Sequence, residues 1–294
     1  MLLIFPPVAK PCEPPAGIAK LAGALFAHGI SFTVLDANLD GLLHLMERPR
    51  TAPDTWTRRA IKNRSANVAA LRDPRTYLSP DRYKRAVRDV NRLLAVSAKD
   101  SGIAAGLADY QDQHLSPLRS ADLIFSAEHP EQNPFYPWFS RRLPEMLEKA
   151  FSPRRREGRE GLHENRGSEG KDTAQVVGFS LNYLSQALCT FAMIGYIRRA
   201  FPGMVIVLGG GLVSSWLKQP GWKNPFAGLV DHHIAGPGEG PLLKLLGVKD
   251  VKHHHVTPDY GFLPVGGYLS PGFILPYSGS SGCYWNRCSF CPET

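Results

Sequence analysis

The order of strand and helix patterns is the feature that most constrains the fold of this 294-residue chain. A short apolar run at 2–7, a helical pattern at 16–29 and a second short run at 31–38 predict strand, helix and strand. The alternation resumes over 174–247, where three more strand patterns are each followed by a helical pattern. Such alternation is typical of a parallel sheet covered by helices on both faces. We therefore predict an α/β fold with a doubly wound, five-stranded parallel sheet.

The alternation defines the domains. Residues 1–41 and 174–247 form the predicted sheet domain, and 42–173 form a large, mainly helical insertion that ends in a charged linker. Because the insertion follows the second strand, we take it as a candidate cap over a cofactor at the edge of the sheet. Residues 248–294 begin a further domain: a Pro/Gly-rich connector, a predicted strand at 272–278 and a Gly/Ser loop that leads into cysteines.

Composition narrows the class of protein. The apolar share of 43% is enough for a buried core, and five cysteines are too few for a disulfide framework, which favours a reducing, cytoplasmic location. The longest apolar stretch is interrupted by Asn182, Ser185 and Gln186, which argues against a membrane span. The net charge of +8 raises the question of nucleic acid, but residues 153–172 hold six Lys or Arg and five Asp or Glu. This nearly neutral run indicates a solvated linker and disfavours a nucleic-acid partner.

Three cysteines lie close together in the sequence: Cys283, Cys288 and Cys291, in the pattern C-x4-C-x2-C. Thiolates at such spacings can converge on one metal centre, and a structural zinc site usually needs four ligands. With no fourth cysteine nearby, a zinc site would need a histidine from His253–His255, and free thiols are the other alternative. An iron–sulfur cluster held by three cysteines would leave one iron open for a substrate or cofactor.

Polar and glycine-rich segments follow four of the predicted strands. Since ligands of doubly wound sheets bind at the carboxyl ends of the strands, these segments together predict a ligand site along one edge, although each alone is typical of a tight turn. They are Asp36, Asn38 and Gly41; Ser180 and Asn182; Gly209, Gly210 and Gly211; and Gly236, Gly238 and Glu239.

The segment "GCYWNRCSFC", with the aromatic Phe290 before its last cysteine, resembles the cluster-binding loop of radical S-adenosylmethionine enzymes. The usual spacing in that family is C-x3-C-x2-C, so this loop has one additional residue. The resemblance implies a 4Fe-4S cluster on Cys283, Cys288 and Cys291, with S-adenosylmethionine bound at the open iron. It also implies an electron donor such as flavodoxin or ferredoxin, whose electron cleaves S-adenosylmethionine to a 5'-deoxyadenosyl radical.

Residues 1–42 and 174–247 resemble the cobalamin-binding domain that precedes the radical domain in one branch of that superfamily. The motif D-x-H-x-x-G of cobalamin-binding domains corresponds here to Asp36, Asn38 and Gly41, so asparagine replaces the cobalt-ligating histidine. The resemblance implies a cobalt without a histidine ligand, and a nucleotide tail facing Ser180 and the Gly209–Gly211 turn. The implied function is a cobalamin-dependent radical enzyme, a methyltransferase or a related radical catalyst, acting on an unknown substrate.

The position of the cysteine loop bears on activity. In the family it resembles, this loop follows the first strand of a β/α barrel, so the remaining barrel would lie beyond Thr294. We therefore expect this chain to bind cobalamin without turning over by itself. Two alternatives stay open: a non-enzymatic cobalamin-binding module, and a zinc-binding protein that acts on nucleic acid.

Overall fold

A computed structural model describes residues 1–48, 54–152, 175–250, 257–276, 284–285 and 287. The described helices and strands alternate as predicted before residue 42 and after residue 174. In chain order they are β1 (Leu2–Phe5), α1 (Ala16–Ala27), β2 (Thr33–Asp36), α2 (Ala37–Met46), α3 (Thr55–Lys62), α4 (Arg64–Arg72), α5 (Pro74–Tyr77), α6 (Pro80–Ala98), β3 (Ile103–Ala105), β4 (Tyr110–Asp112), α7 (Ser120–Glu128), α8 (Tyr136–Phe151), β5 (Val176–Ser180), α9 (Leu184–Ala200), β6 (Val205–Gly209), α10 (Gly211–Leu217), β7 (His232–Ile234) and α11 (Glu239–Leu245).

The main sheet has five parallel strands in the order β2-β1-β5-β6-β7. Leu2 of β1 lies opposite Thr33 on one side and Val177 on the other. The chain winds outward in one direction from β1 to β2 and in the opposite direction from β5 to β7, so the winding reverses between β1 and β5. The predicted α/β fold with a five-stranded parallel sheet is confirmed.

The sheet separates two hydrophobic cores because successive side chains of a strand point to opposite faces. Met1 and Leu3 pack with α1 and α11 on what we call the cavity face. Leu2 and Ile4 pack with α2, α9 and the insertion on what we call the insertion face. Helices therefore cover both faces, as the doubly wound prediction requires.

The insertion is mainly helical, as predicted, with β3 and β4 forming a small antiparallel hairpin. Its helices share one continuous core with the insertion face of the sheet. Contact is closest where α7 crosses α9, because a Cβ atom built on Gly195 would overlap the backbone of Ala127. At the same crossing, the hydroxyl of Ser126 donates a hydrogen bond to the carbonyl of Leu188 at 2.8 Å.

Helix α9 lies between the sheet and the insertion and is buried on nearly every side. A helix enclosed in this way is apolar all round rather than along one stripe. This burial explains why the sequence from 176 to 197 is so apolar. None of the described helices combines the length and apolar character that crossing a bilayer requires.

Residues 257–276 run across the sheet domain as an irregular connector. The amide of Asp259 donates to the carbonyl of Ala19 at 2.9 Å, and the amide of Leu269 donates to the carbonyl of Pro11 at 2.8 Å. The strand predicted at 272–278 is wrong for its described part, since 272–276 contain no strand. Residues 272–276 pair with none of the described strands and are instead held by Tyr260, whose hydroxyl donates to the carbonyl of Pro276 at 3.3 Å. Residues 277 and 278 lie outside the described part of the chain.

Candidate functional site

A cavity of about 450 Å³ lies on the cavity face of the sheet. It is bounded by the carboxyl ends of β5, β6 and β7 and extends between the sheet and helices α1 and α11. The sequence-predicted site residues that line it are Ser180, Asn182, Gly209, Gly210, Gly211, Gly236, Gly238 and Glu239. The structure therefore brings three of the four predicted segments together in one place.

Much of the cavity wall is bare backbone. Gly17 lies in the first turn of α1 across from β5, and a Cβ atom built on it would lie 3.7 Å from the Ser180 hydroxyl oxygen. Gly238 closes the wall beside α1, where its built Cβ would lie 3.4 Å from Leu21 Cδ2. Side chains at these glycines would occupy the space that a ligand could use. A wall of this kind lets a bound molecule approach the main chain closely.

The loops after β5, β6 and β7 are braced against one another by side-chain hydrogen bonds. Asn182 Oδ1 accepts from the amide of Gly211 at 3.0 Å, and Asn182 Nδ2 donates to Ser180 Oγ at 3.1 Å. The hydroxyl of Ser214 accepts from the amide of Gly236 at 2.8 Å and donates to the carbonyl of Gly210 at 2.9 Å. These bonds hold the rim of the cavity in a fixed shape without a ligand.

The turn after β6 requires glycine at one position. Gly210 has a φ of 112°, which side-chain-bearing residues rarely adopt, and a Cβ atom there would overlap the backbone of Leu181. Gly210 therefore allows the β5 and β6 loops to touch. The contact is completed by the amide of Leu212, which donates to the carbonyl of Leu181 at 3.3 Å.

Gln186 fixes the β5 loop to the β1 loop from inside the protein. Its side-chain oxygen accepts from the amides of Asn182 at 2.9 Å and Tyr183 at 3.1 Å. Its side-chain nitrogen donates to the carbonyl of Pro6 at 2.7 Å. Since Gln186 has no exposed surface, these bonds form away from water and position Asn182 firmly at the rim.

The cavity combines an apolar interior with charged side chains. Met1, Leu3 and Val207 from the strands face Ile18 and Leu242 from the helices. The charged side chains among its lining residues are Lys20, Lys218 and Glu239. An apolar body with a few polar groups suits an amphipathic small molecule that carries negative charge.

The β2 loop takes no part in this cavity. Asp36 caps α2: its carboxylate accepts from the amide of Leu39 at 2.9 Å and from the Tyr268 hydroxyl at 2.6 Å. Burial raises the pKa of Asp36 to about 6, and the two hydrogen bonds oppose that rise. Asn38 is 1% exposed, and its side-chain oxygen accepts from the amide of Ala9 at 2.8 Å. Both side chains are therefore engaged inside the protein.

The insertion covers the β2 loop rather than the cavity. A Cβ atom built on Gly41 would lie 3.2 Å from Phe135 and 3.5 Å from Trp138, two buried aromatic residues of the insertion. No described residue of 42–152 lines the cavity. Asp36, Asn38 and Gly41 therefore lie apart from the cavity that the other three predicted segments share. The insertion does not form a cap over the cavity because its helices pack on the opposite face of the sheet.

The candidate metal ligands belong to segments outside the described residues. Cys283, Cys288 and Cys291 lie outside the described residues, as do His253–His255 and the linker 153–172. Within the described ranges no group of three or more His, Cys, Asp or Glu could hold a metal ion. Of the two isolated cysteines, Cys189 is fully buried, and burial raises the pKa of its thiol to about 12.

Sequence reasoning missed several residues of the site, among them Gly17, Lys20, Ser214 and Lys218. Gly17 is the second residue of α1, after Pro14, Pro15 and Ala16, where glycine has no intrinsic advantage. That placement is a signal for close approach that could have been used. The lysines carry no such signal, because their position on the cavity depends on how α1 and α10 pack.

Comparisons with known proteins supply no relative. No family model, curated protein or solved structure matches this chain.

Proposed function

We propose that this chain binds cobalamin in the cavity and belongs to a cobalamin-dependent radical S-adenosylmethionine enzyme. The observation that carries the proposal is the glycine-walled cavity at the carboxyl ends of β5, β6 and β7. The strand order β2-β1-β5-β6-β7 supports it, since doubly wound sheets of this order bind nucleotide-type cofactors at the carboxyl ends of their strands. The radical part of the proposal depends on the sequence resemblance of the loop that holds Cys283, Cys288 and Cys291.

The residues of the cavity fit the tail of cobalamin, which carries a flat aromatic base, a ribose and a phosphate. The apolar interior between Leu3, Ile18 and Leu242 suits the base, and the bare wall at Gly17 leaves room for it. Lys20 and Lys218 lie where they could attract the negative phosphate, and the Ser180 hydroxyl could bond to the ribose.

The residues that follow β2 determine whether this part of the chain could supply a ligand to the cobalt. Asn38 is buried and bonded to the amide of Ala9, so it is not available as a ligand. This agrees with a bound cobalamin whose cobalt has no protein ligand from β2. When bound, cobalamin would supply a transferable methyl group. The protein would contribute the fixed rim formed by Asn182, Ser214 and Gln186, which holds the tail in one position.

A cavity-filling variant tests the cobalamin site. Gly17→Leu should fill the cavity beside Ser180 and weaken binding of hydroxocobalamin at least tenfold, measured by titration and absorption spectroscopy. Gly203→Leu is the matched control, because no atom of the described residues lies within 4 Å of a Cβ atom built at Gly203, which precedes the amino end of β6. Equal affinity of the two variants for hydroxocobalamin would refute the assigned cavity.

The cluster is tested separately by metal content after anaerobic reconstitution with iron and sulfide. We expect about four irons and four sulfides per chain, and loss of iron in Cys288→Ala. Cobalamin binding without iron would reduce the proposal to a cofactor-binding module, and zinc in place of iron would overturn the radical chemistry.

A further inference from the structure

The positive charge of this chain is concentrated on one part of the insertion. Residues 54–98, which hold α3 to α6, contain eleven Lys or Arg and four Asp or Glu, a net charge of +7. The whole chain has a net charge of +8, so the remaining residues are close to neutral. The expectation against nucleic acid was based on residues 153–172, and the excess charge lies elsewhere.

Helical spacing gathers these cations on the outer side of α6. Its inner side is formed by Ala86, Val90 and Leu93, all buried in the core of the insertion face. Arg85, Arg88 and Arg92 follow one another at intervals of three and four residues, so they lie on one stripe of the helix that faces away from that core. Lys84 is exposed next to this stripe.

Helix α3 adds a second row of cations beside the stripe. The indole nitrogen of Trp56 donates to Asp89 at 2.7 Å, and the guanidinium of Arg92 donates to Asp54 at 2.5 Å and to the Thr57 hydroxyl at 2.8 Å. These bonds hold α3 against α6. The exposed cations that α3 contributes are Arg58, Arg59 and Lys62. We call these three residues together with Lys84, Arg85, Arg88 and Arg92 the basic surface.

Two of the seven cations of the basic surface, Arg59 and Arg92, form ion pairs with acidic residues of 54–98, and the other five form none among the described residues. Asp54 is paired with Arg92, and Asp73 is paired with Arg75 on the neighbouring helix α5. Asp89 is 2% exposed and accepts from Trp56 at 2.7 Å and from Asn67 at 3.3 Å. It also forms an ion pair with the Arg59 guanidinium at 3.6 Å. Asp81 is exposed, one turn before Arg85. The outward field of the basic surface is therefore strongly positive, which attracts an extended polyanion.

We propose that the basic surface binds single-stranded nucleic acid. Most of its cations are arginines, which can donate two parallel hydrogen bonds to a phosphate. One aromatic ring is exposed among them: Trp56, whose ring lies 5.1 Å from the Arg92 guanidinium. Tyr77 and Tyr83 form a second exposed aromatic pair, on α5 and the first turn of α6. Unpaired bases stack on such rings, whereas a chain of carboxylates such as polyglutamate has no flat group that could stack there. This site is independent of the cavity, which lies on the other face of the sheet.

The test measures binding of a labelled oligonucleotide of about 12 nucleotides, a length within the range of such sites. Fluorescence anisotropy at several salt concentrations should give a steep dependence of affinity on salt. Each lost phosphate contact should lower the magnitude of the log–log slope by about 0.7. Arg85→Gln/Arg88→Gln should therefore lower it by about 1.4 and weaken binding at least tenfold. Both arginines are exposed, so the fold should persist, which circular dichroism checks.

The matched control is Arg141→Gln/Lys149→Gln, which removes the same charge from exposed positions of α8 outside the basic surface. We expect the control to bind the oligonucleotide with at least half the affinity of the unmodified chain. Equal loss in both double variants would overturn the site. Binding of polyglutamate or of anionic vesicles as tight as that of the oligonucleotide would overturn the choice of partner, as would tighter binding of a duplex of the same length.

Discussion

The two faces of the sheet are made by the same five strands and yet differ in how they are filled. On the insertion face, α9 lies under the helices of the insertion, and side chains such as Phe139 and Phe191 have no exposed surface. On the cavity face, α1 and α11 leave a space of about 450 Å³ against β5, β6 and β7. One face therefore provides a close-packed core, and the other provides room for a ligand.

The comparison shows how a small sheet can be stable and hollow at the same time. Close packing gains dispersion contacts and removes apolar surface from water, whereas a cavity forgoes both. In this chain the insertion enlarges the core on one side, which offsets the contacts that the cavity forgoes on the other. The following experiments test whether the two faces of the sheet differ in this way.

The strongest test is a pair of glycine substitutions, one on each face. Gly195→Ala should lower the free energy of unfolding by about 3 kcal/mol or more, because the added Cβ atom overlaps the backbone of Ala127 where α7 crosses α9. Gly240→Ala in α11 should be neutral or stabilising by up to about 1 kcal/mol, since its Cβ position has no neighbour within 4 Å in the described part of the chain. Urea unfolding of both variants measures the difference, and similar losses would show that the faces do not differ.

The next test concerns the burial of Asp36 at the end of β2, where the insertion and the connector cover it. Its pKa rises from 3.8 to about 6 in the folded protein because the carboxyl is buried. The folded state therefore holds this proton more tightly than the unfolded state does. The resulting stabilisation is complete below about pH 4 and is lost as the pH rises through about 6.

We expect the unfolding free energy of the unmodified chain to fall, relative to Asp36→Asn, by on the order of 2 kcal/mol between pH 4 and pH 7. Denaturant titrations at several pH values measure this difference. Tyr268→Phe removes a hydrogen bond that lowers the pKa of Asp36, so its transition should move to higher pH. Parallel pH profiles of the unmodified chain and Asp36→Asn would show that the carboxyl is not buried.

Arg72 tests whether the insertion holds the connector. Its guanidinium donates to the carbonyls of Gly267 and Tyr268, so it joins α4 to the segment that leads toward the cysteines. Arg72→Ala should speed hydrogen exchange of the Leu269 amide about tenfold, corresponding to a loss of about 1.4 kcal/mol. Arg75→Ala, at an exposed position on α5, is the control and should leave that exchange unchanged. Unchanged exchange in both variants would show that Arg72 does not hold the connector in place.

The smallest effect is a chemical one. Cys189 lies in the close-packed insertion face, where burial raises the pKa of its thiol to about 12, whereas Cys12 is partly exposed. Iodoacetamide should therefore label Cys12 and leave Cys189 unmodified in the native protein, as read by peptide mass spectrometry. Rapid labelling of Cys189 without denaturant would indicate that this face opens readily.

Local sequence patterns predicted most of the helices and strands of the fold. Short apolar runs and helical spacing placed the five strands and the helices between them, because each of these elements depends on its own few residues. The strand predicted at 272–278 is wrong over 272–276 for the same reason: a strand needs a neighbour, and the pattern of one segment does not supply it. The sequence also marked Ser180, Asn182 and Gly209–Gly211, since polar residues and glycines after strands point to the carboxyl edge of the sheet.

The division of that edge was decided only by the tertiary structure. Asp36 and Asn38 follow β2 just as Ser180 and Asn182 follow β5, and nothing in the local sequence separates the two pairs. Asp36 accepts a hydrogen bond from Tyr268, and Asn38 accepts one from the amide of Ala9, both inside the protein. Ser180 and Asn182 instead line the cavity. The basic surface likewise exists only once α3 lies against α6. Residues distant in the chain make these contacts, so local periodicity fixes the elements while packing between them determines which polar groups reach a cavity or the protein surface.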